Sequence, residues 1–249
     1  MQESTPRIER AFGVSAVLVH GAGDTAAVWA ELQQMLRVPS HALDIIGRES
    51  RPYDLVEVTV DRAVERAVAD ISSSTSGPVV LVAHSIGGAL SPGIAAALAS
   101  RVVHLVHVVA IAAPDGEMPL AVASQDFADL MLTGADALRN EMRGATFAED
   151  DMEVPLGLRR TADRLALTRI DSVNLGCVPT SWVGVDPDLP RTFVQTVRDR
   201  LYPLDAQARL AAVMGADEII PLESGHNPAR SAASELAAII DGIAGRYAS

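Results

Sequence analysis

Residues 79–88 read Val-Val-Leu-Val-Ala-His-Ser-Ile-Gly-Gly, and this stretch decides the fold. An apolar, β-branched run ends in a polar pair and two glycines, after which apolar residues recur at helical spacing. The pattern predicts a buried strand, a very tight turn and a helix, with Ser85 at the apex of the turn. Such a turn brings the residues at 83 and 87 close together, so both must be small. Here they are Ala83 and Gly87.

The composition favours a single globular domain with a sizeable core, because 49% of the 249 residues are hydrophobic and 21% are charged. The net charge is −12 and every basic residue is arginine, so we expect neither nucleic acid nor an anionic membrane as a partner. The single cysteine, Cys177, excludes an internal disulfide and a cysteine-based metal cluster. Residues 1–13 lack a signal-peptide core, and we expect a cytoplasmic location.

Apolar strand patterns alternate with amphipathic helix patterns along most of the chain. This alternation predicts an α/β fold with a mainly parallel sheet of about six strands and helices on both faces. Between residues 114 and 190 the alternation lapses, which predicts a helical cap insertion between core segments 1–113 and 191–249. The expected strands are 16–20, 43–47, 79–83, 102–112, 192–197 and 217–220, and the expected helices are 25–37, 54–71, 89–98, 125–142, 161–170, 205–213 and 228–243.

A serine hydroxyl is a poor nucleophile unless a base takes its proton, so Ser85 needs a histidine. Only His226 stands in a loop after the last predicted strand, where it can reach the carboxyl edge of the sheet. We therefore expect His226 to be the base, and His84 to point away from Ser85. The remaining histidines are expected in supporting, loop or core positions: His20, His41, His104 and His107.

The base in turn needs a carboxylate that fixes its tautomer. Asp199 follows the next-to-last predicted strand, at the edge where active sites of open parallel sheets lie. Asp186 and Asp188 precede the same strand, at its opposite end, and Asp115 follows an earlier strand. We favour Asp199, with the other three as alternatives.

The attack also requires hydrogen-bond donors for the developing oxyanion. One should be the main-chain N–H of Ile86, the residue after the nucleophile. The other should come from the loop His20-Gly21-Ala22-Gly23 after the first strand, and we assign it to the N–H of Ala22.

These segments together resemble the α/β-hydrolases, in particular the small-cap group of plant methylesterases, hydroxynitrile lyases and similar bacterial esterases. The resemblance assigns the acid to Asp199, through the pattern Asp-Arg-x-x-Pro-x-x-x-Gln. The chain departs from the group at Ala83, where glycine is usual, and in the cap, which matches only loosely. The segments that carry the resemblance are 17–22 with Trp29, 81–88, 196–203 with Gln207, and 223–228.

Two departures discriminate among the chemistries of this superfamily. The hydroxynitrile lyases of the group use a lysine beside the base and a threonine in the oxyanion loop. Here those positions hold Asn227 and Ala22, and the chain contains no lysine, which argues against cyanohydrin cleavage. Ser85 likewise argues against haloalkane dehalogenases and epoxide hydrolases, which carry an aspartate at the turn.

The resemblance therefore implies a serine hydrolase that cleaves a carboxylic ester, thioester or lactone of a small apolar substrate, with no cofactor and no metal. Two alternatives stay open, namely an acyltransferase or cyclase of a biosynthetic pathway and a ligand-binding receptor on the same fold. The sequence leaves a monomer and a homodimer equally open. Apolar side chains of helix 125–142 could line the substrate pocket or simply form core: Phe127, Leu130, Met131 and Met142.

Overall fold

The computed structural model describes residues 13–48, 51–53, 58–119, 122, 146–147, 169–170 and 174–248. Six of its strands form one parallel sheet, which confirms the predicted α/β architecture. In spatial order these strands are β2 (Ser40–Leu43), β1 (Ser15–Val19), β3 (Val79–His84), β4 (Val102–Val108), β7 (Arg191–Thr196) and β8 (Glu218–Leu222). Two further strands, β5 (Thr146–Phe147) and β6 (Arg169–Ile170), form a separate antiparallel pair.

Seven α-helices lie among the described residues, and they cover both faces of the sheet. The first and last pack on one face, while the second, third and fifth pack on the other. In chain order they are α1 (Ala30–Met35), α2 (Val60–Ser74), α3 (Ser91–Leu98), α4 (Asn174–Cys177), α5 (Leu204–Val213), α6 (Pro228–Ser231) and α7 (Ala233–Ala244).

Strand β3 runs through the middle of the core and is buried along its whole length. Alternate residues of a strand point to opposite faces of the sheet. Val80 and Val82 accordingly pack beneath α1 and α7, whereas Leu81 and Ala83 pack beneath α2 and α3. Burial on both faces explains why this strand reads as a continuous apolar run.

The second strand lies three residues earlier than the sequence pattern indicated. It covers Ser40–Leu43, in register with β1, and not 43–47. The chain leaves the sheet after Leu43 because the N–H of Ile45 donates to the His20 ring, at 3.2 Å, and Gly47 takes a φ of +96°. The prediction also placed His41 in a loop, and the structure places it in this strand.

The fourth strand is shorter than the apolar run that predicted it. It ends at Val108, because Val109 has a φ of +39°, which a β-branched residue rarely adopts. Residues 109–113 stay fully buried, and the N–H of Ile111 donates to the carbonyl of Ser85 at 2.8 Å. The end of this run therefore packs against the turn at Ser85 and is not strand.

Several helix boundaries also differ from the prediction; helix 25–37, for example, is a 3-10 turn, Ala26–Trp29, followed by α1. Helix α2 begins at Val60, because the Thr59 side chain caps it by accepting from the N–H of Arg62 at 3.2 Å. The final predicted helix is divided at Ala232, whose φ is −151°. Just before this break, the Ser231 hydroxyl donates to the Asn227 carbonyl four residues earlier, a bond that competes with regular helix geometry.

Most of the predicted insertion, 114–190, lies outside the described residues. That holds for helix 125–142 and for its candidate pocket residues Phe127, Leu130, Met131 and Met142. The other predicted helix, 161–170, is wrong at its end, since Arg169–Ile170 pairs as a strand with Thr146–Phe147. The cap and its boundaries stay predictions.

No helix in the described part of the chain combines the length and apolar character needed to cross a bilayer.

Candidate active site

Ser85 lies at the apex of the turn that leaves the sheet. It follows β3 directly and begins a 3-10 turn, Ser85–Leu90, that leads into α3. Its φ of +50° is in the left-handed region, which side chains other than glycine rarely adopt. The carbonyl of Ser85 is held by the N–H of Ile111. The surroundings therefore maintain a strained backbone that presents the serine side chain.

The two glycines after Ser85 are required by close backbone contacts. A Cβ at Gly87 would lie 2.6 Å from the His20 carbonyl oxygen, and one at Gly88 would lie 2.8 Å from that of Ile111. Ala83, in contrast, keeps its methyl group in the core with no exposed surface. The departure at position 83 is therefore compatible with the turn, and the steric demand falls on Gly87.

The structure brings together the three residues that the sequence singled out for catalysis. Nε2 of His226 lies 3.0 Å from Oγ of Ser85, and Nδ1 of His226 lies 2.8 Å from Oδ2 of Asp199. Asp199 follows β7, and His226 stands in the loop between β8 and α6. All three are at least nine-tenths buried, so their mutual hydrogen bonds are shielded from solvent.

Four hydrogen bonds converge on the Asp199 carboxylate. Oδ1 accepts from the N–H groups of Leu201 and Tyr202, at 2.8 and 2.9 Å, and Oδ2 accepts from the Thr196 hydroxyl at 2.9 Å and from His226. Burial raises the pKa of Asp199, but His226, the Tyr202 N–H and the Thr196 hydroxyl together hold it below its usual value. Asp199 is therefore ionised at neutral pH. An ionised Oδ2 accepts the Nδ1–H of His226 and leaves Nε2 free to accept from Ser85.

Gln207 supports the loop that carries the acid. Its side chain has no exposed surface, and its amide bonds to both main-chain groups of Thr196 and to the carbonyl of Tyr202, at 2.7–2.9 Å. The glutamine of the pattern Asp-Arg-x-x-Pro-x-x-x-Gln therefore has a structural role. It links the two ends of the segment 196–202, which carries Asp199.

The loop after β1 passes beside Ser85. A Cβ at Gly21 would lie 3.0 Å from Cβ of Ser85, so the main chain at this position almost touches the serine. Ala22 comes next in this loop, and Ile86 follows Ser85 at the start of the 3-10 turn. The two residues predicted to donate to an oxyanion thus stand on the two segments that meet at Ser85.

Two of the three alternative acids accept hydrogen bonds elsewhere. Asp186 accepts from the N–H of Asp188 at 3.0 Å, in the exposed loop before β7. Asp115 accepts from the N–H of Trp182 at 2.9 Å. The His226 ring pairs with Asp199 instead.

Three of the remaining histidines have structural partners. His20 supports its loop, since Nδ1 bonds to the Gly21 carbonyl at 2.8 Å and Nε2 accepts from Ile45. His104 bonds to Thr192 and Tyr247, and His107 bonds to Ser91, all at 2.8–2.9 Å. Burial lowers the pKa of His104 to about 4 and that of His107 to about 3, so both are neutral core residues.

Sequence reasoning missed two contacts that involve the loop carrying His226. His84 bonds through its ring to the main-chain carbonyl of His226, and the Asn227 amide donates to Asp24 at 3.1 Å. Asp24 also accepts from Arg230 at 3.2 Å. Both contacts join residues far apart in sequence, and no local pattern reveals them.

Within the described ranges, no group of three or more His, Cys, Asp or Glu side chains is placed to hold a metal ion.

A parallel sheet whose serine lies on a sharp strand-to-helix turn, with an aspartate and then a histidine later in the chain, is typical of the α/β-hydrolases. Residues 16–239 match the alpha/beta hydrolase family, and the chain belongs to it.

Individual relatives agree with this assignment. The chain is 27% identical to lipase LipV from Mycobacterium tuberculosis (strain ATCC 25618 / H37Rv) over 239 residues, 89% of this chain and 90% of that protein. A crystal structure of a pyrethroid hydrolase from Sphingobium faniae JZ-2 superposes with a TM-score of 0.70 at 21% identity, covering 93% of this chain and 98% of the other. The methylesterase MES16 from Arabidopsis superposes with a TM-score of 0.66 at 18% identity, covering 94% and 99%. At these identities the two structural likenesses show the shared fold.

Proposed function

We propose that the protein is a serine hydrolase of the esterase type, which cleaves a carboxylic ester, thioester or lactone of a small apolar substrate through an acyl-enzyme. One observation carries the proposal, the hydrogen-bonded chain from Ser85 through His226 to Asp199. The names of the relatives, a lipase, a pyrethroid hydrolase and a methylesterase, point to the same kind of chemistry.

In the first half-reaction, Oγ of Ser85 attacks the carbonyl carbon while Nε2 of His226 takes its proton. The positive charge that develops on the imidazole faces the ionised Asp199, which stabilises it. The main-chain N–H groups of Ala22 and Ile86 donate to the negative oxygen of the tetrahedral intermediate. His226 then returns the proton to the leaving alcohol or thiol, and the acyl group remains on Ser85.

In the second half-reaction, water takes the place of the leaving group. His226 removes a proton from the water, the resulting hydroxide attacks the acyl carbon, and Ser85 departs with the proton that His226 returns.

The direct test replaces Ser85 by alanine and follows hydrolysis of a short p-nitrophenyl ester. We expect Ser85→Ala to lower kcat by about 10⁶-fold, as removal of a triad nucleophile does, with an unchanged circular dichroism spectrum. The control is Ser73→Ala, on the exposed side of α2, which should retain full activity. Undiminished turnover by a folded Ser85→Ala protein would refute the proposal.

Labelling with a fluorophosphonate, together with the ester assay, separates the alternatives that the sequence left open. An acyltransferase or cyclase would react with a fluorophosphonate at Ser85 yet hydrolyse simple esters poorly. A receptor would leave Ser85 unlabelled. A panel of esters that varies acyl and alcohol size then defines the substrate class.

A further inference from the structure

We propose that His84 is a positioning residue for catalysis, which fixes the base loop (residues 223–227) by donating a hydrogen bond to the main-chain carbonyl of His226. This inference rests on the proposed function, because it concerns the placement of the proposed base. His84 precedes the proposed nucleophile, and its ring reaches the main chain that carries the base.

The hydrogen bond fixes the tautomer of His84. Nε2 lies 2.8 Å from the carbonyl oxygen of His226, and a carbonyl can only accept, so Nε2 carries the hydrogen. The His84 ring is 2% exposed, and its centroid lies 5.1 Å from that of His226. The hydrogen bond is therefore buried next to the imidazole that must reach Ser85.

The His84 ring also contacts the loop after β1. A Cβ at Gly21 would lie 2.8 Å from Nδ1 of His84, so this main chain packs closely against the ring. The Trp29 ring meets the His84 ring edge-on, with centroids 6.3 Å apart and an interplanar angle of 87°. The side chain of His84, the residue before Ser85, thus touches both the base loop and the loop that carries Ala22.

A neutral donor suits this position. Burial, together with the proximity of His226, lowers the pKa of His84 to about 3. The side chain therefore stays uncharged while His226 becomes an imidazolium during the reaction, and the two rings do not repel each other.

The bond from His84 acts on the main chain of the base itself. The earlier residues of the base loop have other partners, since the Ser224 carbonyl accepts from the N–H of Arg198 at 2.9 Å and Glu223 forms an ion pair with Arg198. On its other side, the loop is held by the bond from Asn227 to Asp24. Without the bond from His84, the His226 carbonyl would lose a buried partner, and the imidazole would be free to shift relative to Ser85. A misplacement of about 1 Å costs about 100-fold in rate.

Two variants of His84 test the proposal, because both carry a side-chain amide and differ only in its reach. The amide nitrogen of His84→Gln reaches the position of Nε2 and can donate to the His226 carbonyl, whereas that of His84→Asn is one bond too short. We expect His84→Asn to lower kcat by about 10- to 100-fold with little change in KM, and His84→Gln to restore kcat to within about threefold of the unmodified enzyme. Equal kcat in both variants, whether high or low, would overturn the proposal.

A measurement on the unmodified protein does not depend on how the variants fold. Nitrogen-15 NMR of the histidine rings should show His84 as the neutral Nε2–H tautomer throughout the range in which activity is measured. A His84 that carries its proton on Nδ1, or that becomes protonated in this range, would overturn the assignment of the donor.

The two proposals fail in distinguishable ways. If the unmodified protein does not hydrolyse esters, the proposed function fails, while the tautomer of His84 is still observed. If it does hydrolyse them and His84→Asn retains full kcat, only the role of His84 fails.

Discussion

Replacing Asp199 by asparagine should disable the base while leaving the site nearly unchanged in shape. The asparagine oxygen can still accept from the N–H groups of Leu201 and Tyr202, which now hold Oδ1. Its NH₂ group would take the place of Oδ2, 2.8 Å from Nδ1 of His226 and 2.9 Å from the Thr196 hydroxyl. The hydroxyl can accept this bond, so the loop keeps its hydrogen bonds.

The consequence for His226 is a change of tautomer. An NH₂ group donates, so Nδ1 must be unprotonated and the proton moves to Nε2. There it faces Oγ of Ser85 at 3.0 Å and donates to the serine, which therefore has no base. The equivalent change in a serine protease costs about 10⁴-fold in kcat, or about 5 kcal/mol of transition-state stabilisation. We expect a loss of this order here.

The assay is steady-state hydrolysis of the best p-nitrophenyl ester of the panel, with circular dichroism as the check on folding. The matched control is Asp186→Asn, one of the alternative acids, whose carboxylate is engaged in the loop before β7. That variant should retain full activity. A loss of less than about tenfold in the kcat of a folded Asp199→Asn protein would refute the tautomer argument, because the equivalent change in a serine protease costs about 10⁴-fold.

Two further predictions concern packing and pH. Gly87→Ala should lower stability by about 1–3 kcal/mol, because its Cβ would lie 2.6 Å from the His20 carbonyl. Gly242→Ala in α7, with no neighbouring atom within 4 Å, should instead raise stability by about 0.5–1 kcal/mol, and equal melting temperatures would contradict the steric argument. Burial lowers the pKa of His107 from 6.5 to about 3, so below about pH 6.5 the unfolded chain binds a proton that the folded chain excludes. The contribution of neutral His107 to the free energy of unfolding is complete above that pH. It falls by about 1.4 kcal/mol per pH unit between about pH 6 and pH 4. Urea unfolding of His107→Asn should therefore show a shallower loss of stability on acidification, and an unchanged slope would count against this reasoning.

The residues at the carboxyl edge of the sheet were predictable because each comes shortly after a strand. Ser85 follows β3, Asp199 follows β7 and His226 follows β8. A parallel sheet brings such positions together, so chain order alone implies their proximity. Gln207 was included only through the resemblance, and its three hydrogen bonds show what it contributes to the acid loop.

The errors arose where tertiary contacts override local pattern. The apolar run extends past Val108, yet the strand ends there because Val109 has a positive φ. The following residues then pack against the turn, where the N–H of Ile111 donates to the Ser85 carbonyl. Strand β2 ends earlier than predicted because the ring of His20, far away in sequence, accepts a hydrogen bond from the N–H of Ile45. The role proposed for His84 depends on a main-chain acceptor in another loop, which sequence patterns do not encode.

Ser85 should carry the acyl group during turnover. Quenching the enzyme in acid during reaction with a p-nitrophenyl ester, followed by peptide mass spectrometry, locates the bound acyl group. We expect one acyl group, on Ser85, which accumulates during the reaction and is missing in Ser85→Ala. An acyl group on any other residue, or turnover with no acyl-enzyme and no dependence on Ser85, would contradict this expectation.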